Sequence, residues 1–216
     1  MLLNSDLLFA YLAVATLLAL SPGPDTMFVL ASSTSGGPRY GTAATLGISS
    51  GSIVHASAAA LGISALIAAS PIAFDLLRVG GALYLAWIGA QAIWRWWRGA
   101  EAPAGAAMKT GSATALTAYR RGFVTNVLNP KVAIFYVAFL QQFADASLGH
   151  VPMQIFLLGL IHNLIGTSWL IVLAFLSGWA AQALARNNRW RTWLDGTAGA
   201  IYLILAARIL VQQRAA

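Results

Sequence analysis

Ser21-Pro22-Gly23-Pro24-Asp25 interrupts the first apolar run of the chain, and Asn126-Val127-Leu128-Asn129-Pro130-Lys131 interrupts the fourth. Each stretch places an ionisable side chain directly after a proline, with apolar sequence on both sides. Proline removes a backbone donor and breaks the helical ladder. A charge at membrane depth costs at least about 2.5–3.5 kcal/mol. A lipid-facing helix avoids both features, so the two stretches read as one polar site on two broken membrane helices. The charges are opposite in sign, which suits a substrate carrying both a plus and a minus charge.

The composition agrees. Of 216 residues, 59% are hydrophobic and 9% charged, against about 25% charged in a soluble domain. This is the composition of an integral membrane protein, and it excludes water-soluble classes. The net charge of +7 does not imply nucleic acid, because the basic residues gather in short loops between apolar runs. Trp94, Trp96, Trp97, Trp190 and Trp193 stand at run ends, as in an interfacial belt. Cysteine is absent, which excludes thiol redox chemistry and Cys-ligated metal. The first six residues hold no basic side chain, and the run behind them is too long for a signal-peptide core. It reads as a retained span.

Six runs are long enough to cross a bilayer, near 7–30, 43–69, 71–94, 122–144, 152–181 and 194–212. Backbone groups in lipid must be satisfied within the segment, so these are helices. The expected fold is all-α and integral to the membrane, in a single transporter domain. A first repeat covers about 1–94, a polar cytoplasmic hinge about 95–121, and a second repeat about 122–216. Gly81-Ala82-Leu83-Tyr84-Leu85 matches Gly199-Ala200-Ile201-Tyr202-Leu203, and Pro24-Asp25 and His55 recur as Pro130-Lys131 and His162 at nearly equal offsets. Three spans per half is an odd number, so the halves are inverted, with helices 1 and 4 broken at their prolines. That is the pattern of secondary transporters. Nine of the thirteen basic residues fall in the loops after spans one, three and five. Those loops are therefore cytoplasmic and both termini periplasmic.

Several residues are candidates for the chemistry. After the break, Asp25 opens a new helical segment, where it either caps free N–H groups or receives a substrate ammonium. Asn126 and Asn129 are three apart, so they share a face. Lys131 lies too deep to snorkel and must meet Asp25, a helix end or a bound carboxylate. Gly47 and Gly51 form a small-residue contact face, and His55 follows on it. Histidine suits proton transfer near neutral pH, so His55 and Asp25 are the proton-coupling candidates; a His simply bonded to neighbouring backbone is the alternative. His162-Asn163 with Thr167 and Ser168 forms a second polar stripe with the same two readings. Ser21, Pro22, Gly23, Pro24 and Pro130 make the helix breaks. Arg39 marks a helix start and is a candidate gate at the inner mouth. There is no phosphate-cradling Gly loop, no His-x-x-x-His and no paired intramembrane glutamate. No cofactor or metal is implied.

These motifs resemble the LysE/RhtB family of bacterial amino-acid exporters. The resemblance rests on Ser21-Pro22-Gly23-Pro24 and on Arg39-x-Gly41 leading into Gly47-x-x-x-Gly51-x-x-x-His55. It continues through Gly80, Tyr84-Leu85 and Gly89, then Phe123-x-x-Asn126-x-x-Asn129-Pro130-Lys131 and Gln142-Phe143. It implies efflux of amino acids across the bacterial inner membrane, driven by protons. With Asp25 facing the ammonium and Lys131, Asn126 and Asn129 the carboxylate, a neutral amino acid such as homoserine, threonine or a branched-chain residue fits better than a basic one. The expected partners are that substrate, protons and the lipid bilayer, and a homo-oligomer is compatible with the sequence. Two other classes stay open: a metal or inorganic-ion exporter on a related fold, and a non-transporting scaffold.

Overall fold

The computed structural model describes residues 3–21, 23–69, 71–98, 114–177 and 188–211. These residues form helices and turns, with no strand among them. Helices α1 (Ser5–Leu20) and α2 (Pro24–Gly36) are followed by α3 (Pro38–Ala69) and α4 (Pro71–Arg98). Then come α5 (Ala115–Val127) and α6 (Pro130–Ile134), which continues through a π-type turn (Phe135–Phe139) and a 3-10 turn (Leu140–Phe143). Helices α7 (Val151–Phe175) and α8 (Asn188–Val211) complete the chain. Pro24, Pro38, Pro71 and Pro130 each open a helix, and Pro152 sits in the first turn of α7. First-turn donors have no intrahelical partner, so the missing proline N–H is tolerated there.

The two expected breaks are present. The axes of α1 and α2 meet at 50°, and α5 meets the segment after Asn129 at 55°. Residues 38–62 of α3 and all of α7 are each long and apolar enough to cross a membrane, and each bent pair meets that standard when taken together. Helices α4 and α8, at 28 and 24 residues, also exceed a ~30 Å hydrocarbon core at 1.5 Å rise per residue.

The helices outrun the apolar segments that reveal them. α3 begins at Pro38 rather than 43, α5 at Ala115 rather than 122, and α8 at Asn188 rather than 194. Hydropathy marks only the stretch at hydrocarbon depth, whereas the backbone stays helical through the polar turns beyond it. For α5 the start is capped, since the Thr114 hydroxyl accepts the Thr117 N–H at 3.2 Å. The hinge expected over 95–121 is therefore helical at both ends. Its centre, 99–113, lies outside the described residues, as do residues 178–187.

Small residues set the packing, as they do where lipid leaves helices no hydrophobic drive to associate. α3 and α5 run parallel: Gly122 abuts the Ala44 carbonyl, Gly47 the Tyr119 carbonyl and Gly51 the Asn126 side chain. α7 runs antiparallel to α3, with Gly41 against Ala174 and Gly159 against Ala56. α1 runs parallel to α7, and the Tyr11 hydroxyl donates to the Leu158 carbonyl at 2.6 Å. α4 and α8 are antiparallel, with Gly89 against Leu203 and Gly196 against Trp96.

Two buried clusters result. One joins Tyr11, Ala15, Ala56, Tyr136, Phe139 and Leu158. The other joins Val29, Ala44, Ile48, Ala118, Leu170 and Leu173. α3 and α7 contribute to both, whereas α1 and the turns after α6 serve the first, and α2 and α5 the second. Both helix breaks therefore fall between the two cores.

Candidate functional site

Each break frees backbone groups, and the two broken pairs are joined side chain to side chain, by Asp25 with Asn126 and Asn129. Pro22 cannot donate to the Leu18 carbonyl; the Ser21 N–H bonds that oxygen instead, at 3.3 Å. Pro22 itself lies outside the described residues. Gly23 is the N-cap of α2 and makes no side-chain cap. Asp25 follows in the first turn, but its carboxylate does not serve as that cap. One oxygen accepts the Asn126 Nδ2 at 2.8 Å and the other accepts the Asn129 Nδ2 at 3.4 Å.

The two asparagines do not share a helical face. α5 ends at Val127, and Asn129 caps α6 by accepting the Lys131 N–H at 3.1 Å. Pro130 breaks the helix between them, so they reach Asp25 from opposite sides of the break. Asn126 is almost fully buried, and its Oδ1 accepts the Ser52 hydroxyl at 3.4 Å. Ser52 was not among the residues singled out from sequence; only the packing of α3 against α5 brings it to Asn126.

Pro130 cannot donate to the Asn126 carbonyl four residues back; the Asn129 N–H bonds that oxygen at 3.0 Å, and the His55 Nε2 adds a second contact at 3.2 Å. A carbonyl only accepts, so the imidazole donates and carries its proton on Nε2. The expected small-residue face is present, because Gly47, Gly51 and His55 all meet α5.

Ser21, Gly23, Asp25, Asn126, Asn129 and Lys131 line one cavity of about 110 Å³. An engineered cavity of about 150 Å³ holds benzene, so the space is of small-molecule size. Leu18, Ile48, Val132, Phe135 and Leu170 form its apolar wall, and His162, Asn163 and Thr167 a second polar edge. A Cβ on Gly23 would lie 3.7 Å from the Lys131 Nζ, so the two breaks face each other. Lys131 is within electrostatic reach of Asp25. His55 does not line the cavity. Arg39 is exposed in the first turn of α3, away from it. Pro24 and Pro130 act through the backbone, as the first residues of α2 and α6.

A family model described as LysE type translocator matches residues 16–213. The chain belongs to that family. It is also 31% identical over 202 residues to a leucine efflux protein of Enterobacter sp. (strain 638), covering 93% of each chain. It is 26% identical over 206 residues to the leucine efflux proteins of Salmonella choleraesuis and Salmonella typhimurium, covering 95% of each. No solved structure matches it significantly. The translocator is thus a multi-pass membrane transporter and not an enzyme, and both helix breaks lie inside the matched region.

Proposed function

We propose that this translocator exports a neutral amino acid, leucine or another branched-chain residue first, across the bacterial inner membrane by proton antiport. The observation that carries the reading is the pairing of Asp25 with Asn126 and Asn129 beside Lys131, in the lining of a cavity with an apolar wall. The substrate ammonium meets Asp25. Its carboxylate meets Lys131 and the asparagine amides, and its side chain lies against Leu18, Ile48, Phe135 and Leu170. Homoserine and threonine, smaller and polar, come second; the apolar wall and the likeness to leucine efflux proteins support that order. A metal-ion exporter finds no group of three His, Cys, Asp or Glu side chains among the described residues.

Six spans form two inverted halves, α1–α4 and α5–α8, in which α3 corresponds to α7 and α4 to α8. The observed helix directions support this pairing. Rocking of the halves about the breaks gives alternating access. Asp25 and His55, which bond the same asparagine, are the proton-coupling residues. Both termini face the periplasm, and Arg39 stands at the cytoplasmic mouth.

Proteoliposomes preloaded with unlabelled leucine test the reading. They should take up labelled leucine by counterflow, and an imposed pH gradient should accelerate net movement. Uptake of lysine or a divalent cation in place of leucine would refute it.

A further inference from the structure

Gly166 lines the cavity from α7, and the place its side chain would take is open. No atom of the described residues lies within 4 Å of a Cβ built there. That space belongs to the cavity. His162 and Leu170, four residues to either side and so about one turn away on the same face, line the cavity too. Leu164 and Ser168, two residues to either side, are exposed on the opposite face. Packing does not account for the glycine. Gly159, on the same face of α7, needs its small size, because a Cβ there would lie 2.8 Å from the Ala56 Cβ and 3.1 Å from the Tyr136 ring. Gly166 meets no such neighbour. Backbone geometry does not account for it either: the positive-φ glycines among the described residues are Gly37 and Gly149, and Gly166 is ordinary helix, where glycine is less favourable than alanine. Gly62 and Gly80 are as open as Gly166, but they are exposed and away from the cavity.

We infer that Gly166 sets the size limit of the substrate: the end of the transported side chain fills the space that the missing Cβ leaves. The inference rests on the amino-acid reading above and adds to it a specificity-determining residue on α7. Leu170, on the next turn, gives the space an apolar flank and continues the wall already assigned to the substrate side chain. On the turn before, the His162 ring packs on Phe135 at 4.3 Å between centroids, so the wall extends to that side as well. A branched apolar chain such as that of leucine suits this surface. The ammonium and carboxylate keep their places at Asp25 and at Lys131 with the asparagine amides.

The test measures binding of alanine, norvaline and leucine to the purified protein in lipid nanodiscs. Wild type should bind leucine more tightly than alanine. Gly166→Ala should weaken leucine by about five- to a hundredfold, the range for overpacking a filled site, and leave alanine within about twofold. Gly166→Val should extend the loss to norvaline while alanine still binds. Gly166→Ala should melt no lower than wild type, because the new methyl strikes nothing. Wild-type leucine affinity in both variants would overturn the inference and leave the amino-acid reading standing. An equal loss of all three probes would overturn it too, by showing that the glycine serves helix shape or movement rather than space. Wild type that binds alanine as tightly as leucine would also overturn it, since no side chain then uses the space. Wild type that binds none of the three would overturn both the inference and the amino-acid reading.

Discussion

His55 Nε2 sits 3.2 Å from the Asn126 carbonyl, which also accepts the Asn129 N–H at 3.0 Å. One imidazole thus ties α3 to the end of α5 while the side chain of the same asparagine holds Asp25. The arrangement separates a structural from a proton-carrying role. His55→Gln can still donate an amide N–H to the carbonyl but cannot exchange a proton near neutral pH. It should keep leucine exchange near the wild-type rate and lose most of the acceleration by a pH gradient. His55→Ala should lose both, with about 0.5–1.5 kcal/mol of stability, because the Asn126 carbonyl keeps the Asn129 N–H. Flux measured with and without a gradient distinguishes these outcomes, and full acceleration in His55→Gln would move the proton to Asp25 alone.

Asp25→Asn and Lys131→Ala should each reduce efflux to background while the protein reaches the membrane in normal amount. Asn126→Ala removes the 2.8 Å bond to Asp25 and should cost about tenfold or more in transport, since a hydrogen bond to a charged group contributes about 1.5–3 kcal/mol. Asn129→Ala removes the longer bond and the α6 cap together. It should therefore lower thermal stability as well as rate. Efflux from leucine-loaded cells, normalised to membrane protein, checks all four.

Much of this site was legible because charge and proline are each disfavoured in a membrane helix and here occur side by side. Asp25 and Lys131 stand out on cost alone, and Gly47, Gly51 and His55 on spacing. The face-sharing argument for Asn126 and Asn129 failed because it assumed one continuous helix, although Pro130 itself forbids it. Ser52 and Tyr136 carry no such mark: a serine or an aromatic residue in an apolar run is ordinary until a partner helix is placed against it. Helix ends were misplaced for a related reason. Hydropathy senses lipid, whereas Thr114 and the basic turns of α5 continue the helix in water.

The α3–α5 contact makes a graded prediction. A Cβ at Gly47 would strike the Tyr119 carbonyl and lie 2.8 Å from the Phe123 nitrogen, both backbone. Gly47→Ala should force the helices apart and cost about 1–3 kcal/mol, as overpacking does. At Gly51 the new methyl meets the Asn126 side chain, 2.7 Å from Oδ1. Gly51→Ala should therefore impair transport more than stability. Gly62, with nothing within 4 Å, serves as the control: Gly62→Ala should be neutral or stabilising by up to about 1 kcal/mol. Melting in detergent beside transport rates checks the ordering.

The loop before α7 tethers the start of α1. The Asp145 carboxylate accepts the Ser147 hydroxyl at 2.6 Å and the Ser147 N–H at 3.0 Å, and the Asn4 Nδ2 at 2.9 Å. The Ser147 hydroxyl first, then Asn4 and the Ser147 N–H, hold this carboxyl below the usual aspartate range. A lowered folded value means that the stabilisation is present above the unfolded pKa of about 3.9 and is lost as pH falls through the folded one. Asp145→Asn should melt below wild type by a constant margin from neutral pH down to about pH 4. Below that the two curves should converge, and a margin that persisted at lower pH would assign the tether to groups other than this carboxylate.

Orientation gives the last prediction. Arg39, Arg95, Arg98, Lys109, Arg120, Arg121, Arg186, Arg189 and Arg191 follow spans one, three and five. Basic residues in short loops stay on the cytoplasmic side. The tethered Asn4 and Asp145 then lie together on the periplasmic face, as the parallel course of α1 and α7 requires. Alkaline phosphatase fused after Ala216 or inserted at Gly149 should be active, and fused after Arg98 inactive. A cytoplasmic C-terminus with Gly149 still periplasmic would mean that α8 does not cross, leaving an odd number of spans and no inverted pair for α4.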